Sequence, residues 1–146
     1  MASDSLYGRV AILAAKLCWE DRNPRAAWIE AAGEVCSNES SKTKHCPQGA
    51  FLGLCAKALF KNKKIQPDPK AKIGVNGEYA IQLVAKLQKD HSLEELSASD
   101  FWNLLGLRSR VDPSKKKAHN SQAHVVLALW RAGLIDGSPH AEASCK

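Results

Sequence analysis

A nearly all-apolar helical segment, residues 47–60, constrains the fold of this chain more than any other feature. A helix that is apolar on almost every side has to be buried by other elements. A second segment of the same kind occupies residues 121–135. A basic run that contains a histidine precedes each segment, and a glutamine lies three residues after that histidine. We therefore expect both segments to lie centrally, packed on each other or on neighbouring helices.

Helical spacing of apolar residues accounts for most of the chain. It predicts six helices, over residues 3–20, 24 to about 35, 47–60, 78–89, 100–107 and 120–132. Ser3 or Ser5 is suited to cap the first helix, and Asn23-Pro24 is suited to begin the second. Gly133 is a natural left-handed stop for the last helix. Short strand pairing is expected at most around Ile65 or residues 73–75.

The two halves of the chain resemble each other. Residues 14–17 match residues 84–87 at an offset of 70, and residues 51–60 match residues 126–135 at an offset of 75. Three polar or aromatic pairs match at an offset of 74: Trp28 and Trp102, His45 and His119, Gln48 and Gln122. The pattern predicts a six-helix, all-α single domain that arose by tandem duplication of a three-helix unit. Its parts would be a first unit (about 5–60), an irregular basic linker (about 61–76), a second unit (about 77–135) and a loose tail (136–146).

Positive charge is clustered. The formal net charge of the 146 residues is +6, and residues 57–72 contain six lysines against one acid. Residues 108–117 contain five basic residues, again against one acid. Clustered positive charge favours an anionic partner such as nucleic acid, phosphate groups or an acidic protein surface. A surface that merely keeps the protein soluble is the alternative.

Cysteine usage and hydropathy indicate a cytoplasmic protein that does not enter a membrane. No apolar run approaches the length of a membrane span, and the N-terminus lacks the pattern of a signal peptide. The five cysteines are odd in number and lie largely in apolar helical patterns, which is typical of free thiols in a reducing compartment. Their spacing with His45 matches no common zinc site, so neither a metal nor another cofactor is expected.

The repeated basic approach to a buried helix predicts an anion-binding site, because the beginning of a helix offers unpaired N–H groups and partial positive charge. The predicted site comprises Lys42, Lys44, His45, Gln48, Lys115, Lys116, Lys117, His119 and Gln122. A secondary basic patch comprises Lys61, Lys63, Lys64, Lys70 and Lys72. The alternative is structural, with the histidines capping the helices or securing the loops and the glutamines bonding back to the backbone.

Three classes of function remain open. A recognition helix that reads bases needs an exposed polar face, which these apolar helices lack, so a nucleic acid would be bound through its backbone. The second class is an adaptor or inhibitor that covers an acidic protein surface, with Trp19 as a candidate anchor. The third is an enzyme; His45 beside Cys46 is the nearest approach to a nucleophile with its base, and no catalytic motif accompanies it. A non-enzymatic protein that binds nucleic-acid backbone is the preferred interpretation.

Two motifs resemble those of a known group of proteins. At H-C-P-Q-G-A-F-L-G-L-C and H-N-S-Q-A-H-V-V-L-A-L-W the chain resembles an uncharacterised family of small bacterial proteins. Members share an opening Y-G-x-x-A, a C-P-x-x-x-F-L-G-L-C core and a closing H-N-S-Q before an apolar helix. The resemblance covers residues 7–135 and implies no activity. The family pattern has an acidic residue where this chain has His124.

Overall fold

A computed structural model of the chain describes residues 5–62, 64–65, 70–107, 114 and 121–137. Its elements are α1 (Leu6–Cys18), α2 (Pro24–Val35), α3 (Glu39–Lys42), α4 (His45–Ala56), α5 (Val75–Lys89), a 3₁₀ helix (His91–Glu95), α6 (Ala98–Asn103) and α7 (Gln122–Arg131). Six of these correspond to the six predicted helices, and α3 and the 3₁₀ helix are additional. Because these ranges contain helices and no strand, the predicted all-α fold is confirmed. None of the helices described is long and apolar enough to cross a bilayer.

The beginnings of the first two helices follow from their capping residues. The Ser5 hydroxyl accepts a hydrogen bond from the Gly8 N–H, which confirms one of the two predicted caps of α1. The Asn23 side chain accepts from the Ala26 N–H, and Pro24 occupies the first helical position. Both signals are local in sequence, so they can be read without knowledge of the fold.

Several predictions about boundaries are wrong. Residues 39–42, predicted as loop, form α3 because the Asn38 side chain caps them by accepting from the Ser41 N–H. Helix α4 begins at His45 rather than Pro47, since proline is tolerated throughout the first turn, where N–H groups have no partner within the helix. Helix α5 begins at Val75 rather than residue 78, which also excludes the strand pairing expected at 73–75.

The later helices are shorter than their apolar patterns predict. Helix α6 ends at Asn103 rather than residue 107, and its cap is Ser97, whose hydroxyl accepts from the Asp100 N–H. Helix α7 runs over ten residues and is followed by Gly133 at φ +77°, the predicted left-handed stop. Residues 108–113, 115–120 and 138–146, which include most of the predicted tail, lie outside the described residues.

Helices α4 and α7 form the centre of the fold. Helix α4 packs against α2, α5 and α7, and α7 packs in addition against α1, α6 and the 3₁₀ helix. Their buried residues belong to one apolar cluster that takes in side chains from most of the helices. In that cluster Phe51 lies between Trp28 and Phe60, with ring centroids 5.4 Å and 6.0 Å apart respectively. The two apolar segments are therefore buried at the centre, as expected, and they pack both on each other and on neighbouring helices.

A pair of glycines allows α4 and α5 to approach closely. A Cβ added at Gly53 would lie 3.0 Å from the Gly77 carbonyl carbon and closer still to its Cα. A Cβ added at Gly77 would in turn lie 3.0 Å from the Gly53 Cα. Contact of backbone with backbone at this distance leaves no room for a side chain on either helix.

Several structural features recur between the two predicted units. Every buried residue of α5 has a buried counterpart in α1 at an offset of 69 rather than 70: Gly77 with Gly8, Ala80 with Ala11, Leu83 with Ala14, Val84 with Ala15 and Leu87 with Cys18. The capping residues Asn23 and Ser97 are 74 apart. An isolated antiparallel bridge joins Phe60 to Ile135, an offset of 75. The tandem duplication itself stays a prediction.

The segments that follow α4 and α7 are paired with each other. The Lys61 N–H donates to the Leu134 carbonyl and the Asp136 N–H donates to the Leu59 carbonyl, both at 2.9 Å. The ends of the two central helices are thereby held together at one end of the molecule.

Candidate anion-binding site

The first half of the predicted site lies between the end of α3 and the first turn of α4. Lys42 is the last residue of α3, is half-buried and forms an ion pair with Glu39 at 3.7 Å. Lys44 occupies the N-cap of α4 and His45 its first position, and both are exposed. Gln48 lies one turn further and is half-buried. The predicted residues thus line the beginning of α4, with Lys44 and His45 the most accessible.

The second half of the predicted site is described only at its end. Lys115, Lys116, Lys117 and His119 lie outside the described residues. Gln122 begins α7, is 2% exposed, and its side-chain nitrogen donates a hydrogen bond to the Asn76 Oδ1 at 2.8 Å. A side chain this deeply buried holds elements together rather than presenting itself to a partner.

Asn76 joins the beginnings of α5 and α7 and lies beside the middle of α4. It is the second residue of α5, and its side chain meets Gln122 at the beginning of α7. Its Cβ also lies 3.2 Å from where a Cβ would stand at Gly49, in the first half of α4. The beginning of α5 therefore lies between the first half of α4 and the beginning of α7. No local pattern could have identified Asn76, because its partners are 27 and 46 residues away.

These same three helices begin without a side-chain cap. The N-cap residues of α4, α5 and α7 are Lys44, Gly74 and Ser121, and none makes a capping hydrogen bond through its side chain. The five other described helices are each capped by a side chain, from Ser5, Asn23, Asn38, Asp90 and Ser97. The beginnings of α5 and α7 adjoin through Asn76 and Gln122, so the positive ends of these two helix dipoles lie together, and α5 meets α4 at Gly49 and Gly53. The suggestion that His45 caps α4 is wrong, since the cap position belongs to Lys44.

Arg9 is a cationic neighbour of this region that sequence reasoning missed. Burial raises the pKa of the Cys36 thiol, while the positive charges of Lys42 and Arg9 act to lower it. Both cations therefore lie near the same thiol. The Tyr7 hydroxyl donates to the Ser41 carbonyl at 3.0 Å and so holds α3 against α1. The charges of the exposed Arg9 and of Lys42 therefore act on the same thiol although 33 residues separate the two cations.

The structure divides the predicted secondary basic patch. Lys61 and Lys64 follow the end of α4, where the Lys64 ammonium donates to the Trp19 carbonyl at 3.5 Å. Lys70 and Lys72 instead precede the beginning of α5. Helix α4 has 12 residues, so its two ends are about 18 Å apart. Lys72 therefore belongs with the beginning of α5, whereas the Lys61–Lys64 pair follows the end of α4. Lys63 is outside the described residues.

The described residues contain no cluster of side chains that could bind a metal ion. In these ranges no three histidine, cysteine, aspartate or glutamate side chains come together as metal ligands would. Four cysteines, Cys18, Cys36, Cys46 and Cys55, are free thiols, and all except Cys46 are buried.

Replacing Gln122 with methionine is expected to lower the free energy of unfolding by about 1–2 kcal/mol, because the Asn76 Oδ1 would lose its donor in a partly buried position. The control is the same substitution at Gln48, which is half-buried; there a change within about 0.5 kcal/mol is expected. Urea denaturation followed by circular dichroism measures both. Equal losses at the two positions would contradict a special structural role for Gln122.

Comparison with known proteins identifies a family without assigning a role. Residues 4–136 match DUF6979, which is described as a family of unknown function, and the chain belongs to that family. The predicted resemblance to an uncharacterised family is thereby confirmed. No curated protein and no solved structure matches the chain.

Proposed function

We propose that this member of DUF6979 is a non-enzymatic binding protein that engages the phosphate backbone of a nucleic acid. The observation that carries the proposal is that α4, α5 and α7 each begin without a side-chain cap, with the beginnings of α5 and α7 adjoining through Asn76 and Gln122 and exposed cationic residues standing before α4 and α5. Of these, Lys44 and His45 stand at the beginning of α4 and Lys72 stands just before α5. Backbone N–H groups and lysine ammonium groups are the donors that phosphate oxygens accept from.

The burial of α4 and α7 argues for contacts with the backbone rather than with bases. Base edges in the major groove are read by side chains on an exposed helix face. Helix α4 buries residues on several sides, and seven of the ten residues of α7 are buried. Neither helix can present a polar face to a groove. Binding of this kind has little sequence specificity and weakens steeply as salt is added, because phosphate contacts release counterions.

An acidic protein surface is the alternative partner. Trp19, the candidate anchor for it, is half-buried, and its indole nitrogen is buried with no hydrogen-bond partner among the residues described. An aromatic anchor usually offers its polar end to the partner. The side chain does not support this alternative, whereas the uncapped helix beginnings support an anion with oxygen acceptors.

The proposal predicts that Lys44→Gln with Lys72→Gln weakens binding to mixed-sequence DNA or RNA by about tenfold or more at low salt. Each lysine that contacts a phosphate contributes about one unit to the slope of log affinity against log salt, so the slope should become shallower by about two. Fluorescence anisotropy with labelled oligonucleotides, repeated over a salt series, measures both quantities.

The matched control is Lys86→Gln with Lys89→Gln, which removes the same net charge at the opposite end of α5. That helix has 15 residues, so its last turn lies about 20 Å from its beginning. The control should bind nearly as the unmodified protein does. If both double variants lose affinity equally, the binding site is not at the helix beginnings. If the unmodified protein does not bind at low salt, or binds without salt dependence, nucleic acid is not its partner.

A capture experiment distinguishes nucleic acid from an acidic protein. The immobilised chain is exposed to cell lysate with and without prior nuclease treatment. Under the proposal, nuclease abolishes retention of the associated material, and the Lys44–Lys72 double variant retains little in either case. Proteins that remain bound after nuclease treatment would instead favour the acidic protein surface.

A further inference from the structure

The two central helices meet where they end, through a pair of equivalent hydrogen bonds. The Lys61 N–H donates to the Leu134 carbonyl, and the Asp136 N–H donates to the Leu59 carbonyl. Asp136 lies 75 residues after Lys61, and Leu134 lies 75 residues after Leu59. Exchanging each residue for its counterpart 75 positions away therefore turns one bond into the other. A reciprocal antiparallel pair of this kind has a local two-fold axis, which here passes between the ends of α4 and α7.

The contacts of α5 with α4 and of α1 with α7 follow the same relation. Gly77 is the third residue of α5, and a Cβ added there would lie 3.2 Å from the Gly49 carbonyl oxygen of α4. Gly8 is the third residue of α1, and a Cβ added there would lie 3.5 Å from the His124 carbonyl oxygen of α7. His124 lies 75 residues after Gly49. Helix α5 thus begins beside the first half of α4, and α1 begins beside the first half of α7.

Helices α4 and α7 run side by side in the same direction. Their ends are joined by the bridge, while Asn76 lies beside Gly49 in the first half of α4 and bonds to Gln122, the first residue of α7. Both helices consequently begin at the end of the molecule opposite the bridge. The beginning of α5 flanks them on one side and the beginning of α1 flanks them on the other. We call this surface the two-fold face, and it comprises residues 5–9, 44–49, 72–77 and 121–124.

Exposed cationic side chains lie on both sides of the two-fold face. Lys44 occupies the N-cap of α4 and Lys72 precedes α5, whereas Arg9 is the fourth residue of α1. Helix axes in contact lie about 8–10 Å apart, so α1 and α5, on opposite sides of the α4–α7 pair, are about 15 Å apart or more. The major groove of duplex DNA is about 12 Å wide. The two-fold face is therefore wide enough to reach the phosphate backbones on both sides of a groove.

The aromatic side chains are used for packing inside the protein. All nine aromatic residues lie in the described ranges, where five are buried and four are half-buried. Among the half-buried rings, Tyr79 meets Trp102 and Trp130 meets His91, both edge to face. Proteins that bind single strands without sequence preference stack successive bases on exposed aromatic rings. Rings packed as these are favour contact with the phosphates of a duplex, whose bases remain stacked on one another.

We infer that the nucleic acid is double-stranded, and that its two antiparallel backbones are bound on the two sides of the two-fold face. The inference rests on the function proposed above and adds the class of nucleic acid. The two strands of a duplex are related by two-fold axes, and the symmetry of a duplex site mirrors that of the protein bound to it. Lys44 and Lys72 contact one backbone, and Arg9 contacts the other. A single strand has no such axis and occupies one side only.

The first test compares a fluorescein-labelled mixed-sequence DNA duplex with an oligothymidine strand of the same length, which cannot pair with itself. Fluorescence anisotropy at low salt should show the duplex bound about tenfold more tightly or better, because it presents phosphates to both sides of the two-fold face. Oligothymidine bound as tightly as the duplex would overturn the inference and leave nucleic-acid binding intact. If neither probe binds at low salt, the function proposed above fails, and the inference fails with it.

The second test is Arg9→Gln, which removes the contact assigned to the second backbone. Duplex affinity should fall about threefold to tenfold, and the slope of log affinity against log salt should become shallower by about one. The matched control is Lys16→Gln. Lys16 is exposed on the same side of α1, seven residues and so about 10 Å farther from the two-fold face. The control should bind within about twofold of the unmodified protein.

The comparison of these two variants decides where the second backbone lies. Equal affinities and equal salt slopes for Arg9→Gln and Lys16→Gln would show that α1 does not contact the duplex through the two-fold face. The inference would then be wrong even if Lys44 and Lys72 were confirmed as phosphate contacts. Urea denaturation of both variants checks that the exposed substitutions leave the fold unchanged, so that a loss of affinity reports the contact itself.

Discussion

Replacing Phe51 with alanine is expected to lower the free energy of unfolding by about 3–5 kcal/mol, the largest effect of any single substitution considered for this protein. Phe51 is fully buried in α4 and its ring packs between those of Trp28 and Phe60. The substitution removes the middle ring of three and leaves a cavity. The surrounding helices cannot readily close over it, because each of them also packs against other elements. Urea denaturation monitored by near-ultraviolet circular dichroism would report both the loss of stability and the loss of aromatic packing.

The control for this prediction is Ile29→Ala in α2. Ile29 immediately follows Trp28 in sequence, yet it is 59% exposed. Its truncation removes little buried surface, and we expect a change within about 0.5 kcal/mol. A loss below about 1 kcal/mol for Phe51→Ala would show that the ring is not in the centre of the core and would contradict the described packing of α4.

Gly53→Ala is expected to lower the free energy of unfolding by about 2–3 kcal/mol, even though alanine is the better helix former. The added methyl group would collide with the backbone of Gly77, and a backbone cannot move aside as a flexible side chain can. Helices α4 and α5 would have to separate, and apolar contacts along their whole length would loosen. Urea denaturation gives the magnitude, and a crystal structure of the variant would show the displacement of α5.

Gly33→Ala provides the matched control within the same protein. Gly33 lies inside α2, as Gly53 lies inside α4, but no atom lies within 4 Å of an added Cβ. Alanine there gains helix propensity without a collision and should stabilise the protein by about 0.5–1 kcal/mol. The two substitutions are chemically identical and are expected to have opposite signs. Stabilisation at both positions would contradict the close contact between α4 and α5.

The predictable parts of the fold depend on neighbours in sequence. The apolar spacing of each long helix, the caps at Ser5 and Asn23 and the left-handed Gly133 are all set by residues within one turn of one another. The errors arose where two local signals competed. Pro47 is typical of the first residue of a helix, although the two residues before it also adopt helical geometry in α4. Polarity marked residues 39–42 as loop, although Asn38 caps them as a short helix.

Only the half of the candidate site whose residues adjoin one another in sequence could be predicted. Lys44 and His45 were identified because they directly precede an apolar helix, and the structure places them, exposed, at its beginning. The position of Lys72 relative to these residues depends on the packing of α5 against α4, which no charge pattern reveals. Arg9 was missed for the same reason: its charge and that of Lys42 act on one thiol because α3 is held against α1.

The amino-acid sequence by itself determined which segments are helical, which of them are buried and where positive charge is concentrated. These properties depend on the periodicity of a single helix and on transfer of apolar side chains out of water. The tertiary structure decided which helix beginnings adjoin, through the Asn76–Gln122 hydrogen bond. It could do so because close approach depends on the fit of whole surfaces, such as the glycine contact between α4 and α5. The apolar segment of residues 47–60 thus specifies a buried helix, and the helices packed around it determine which residues lie near each of its ends.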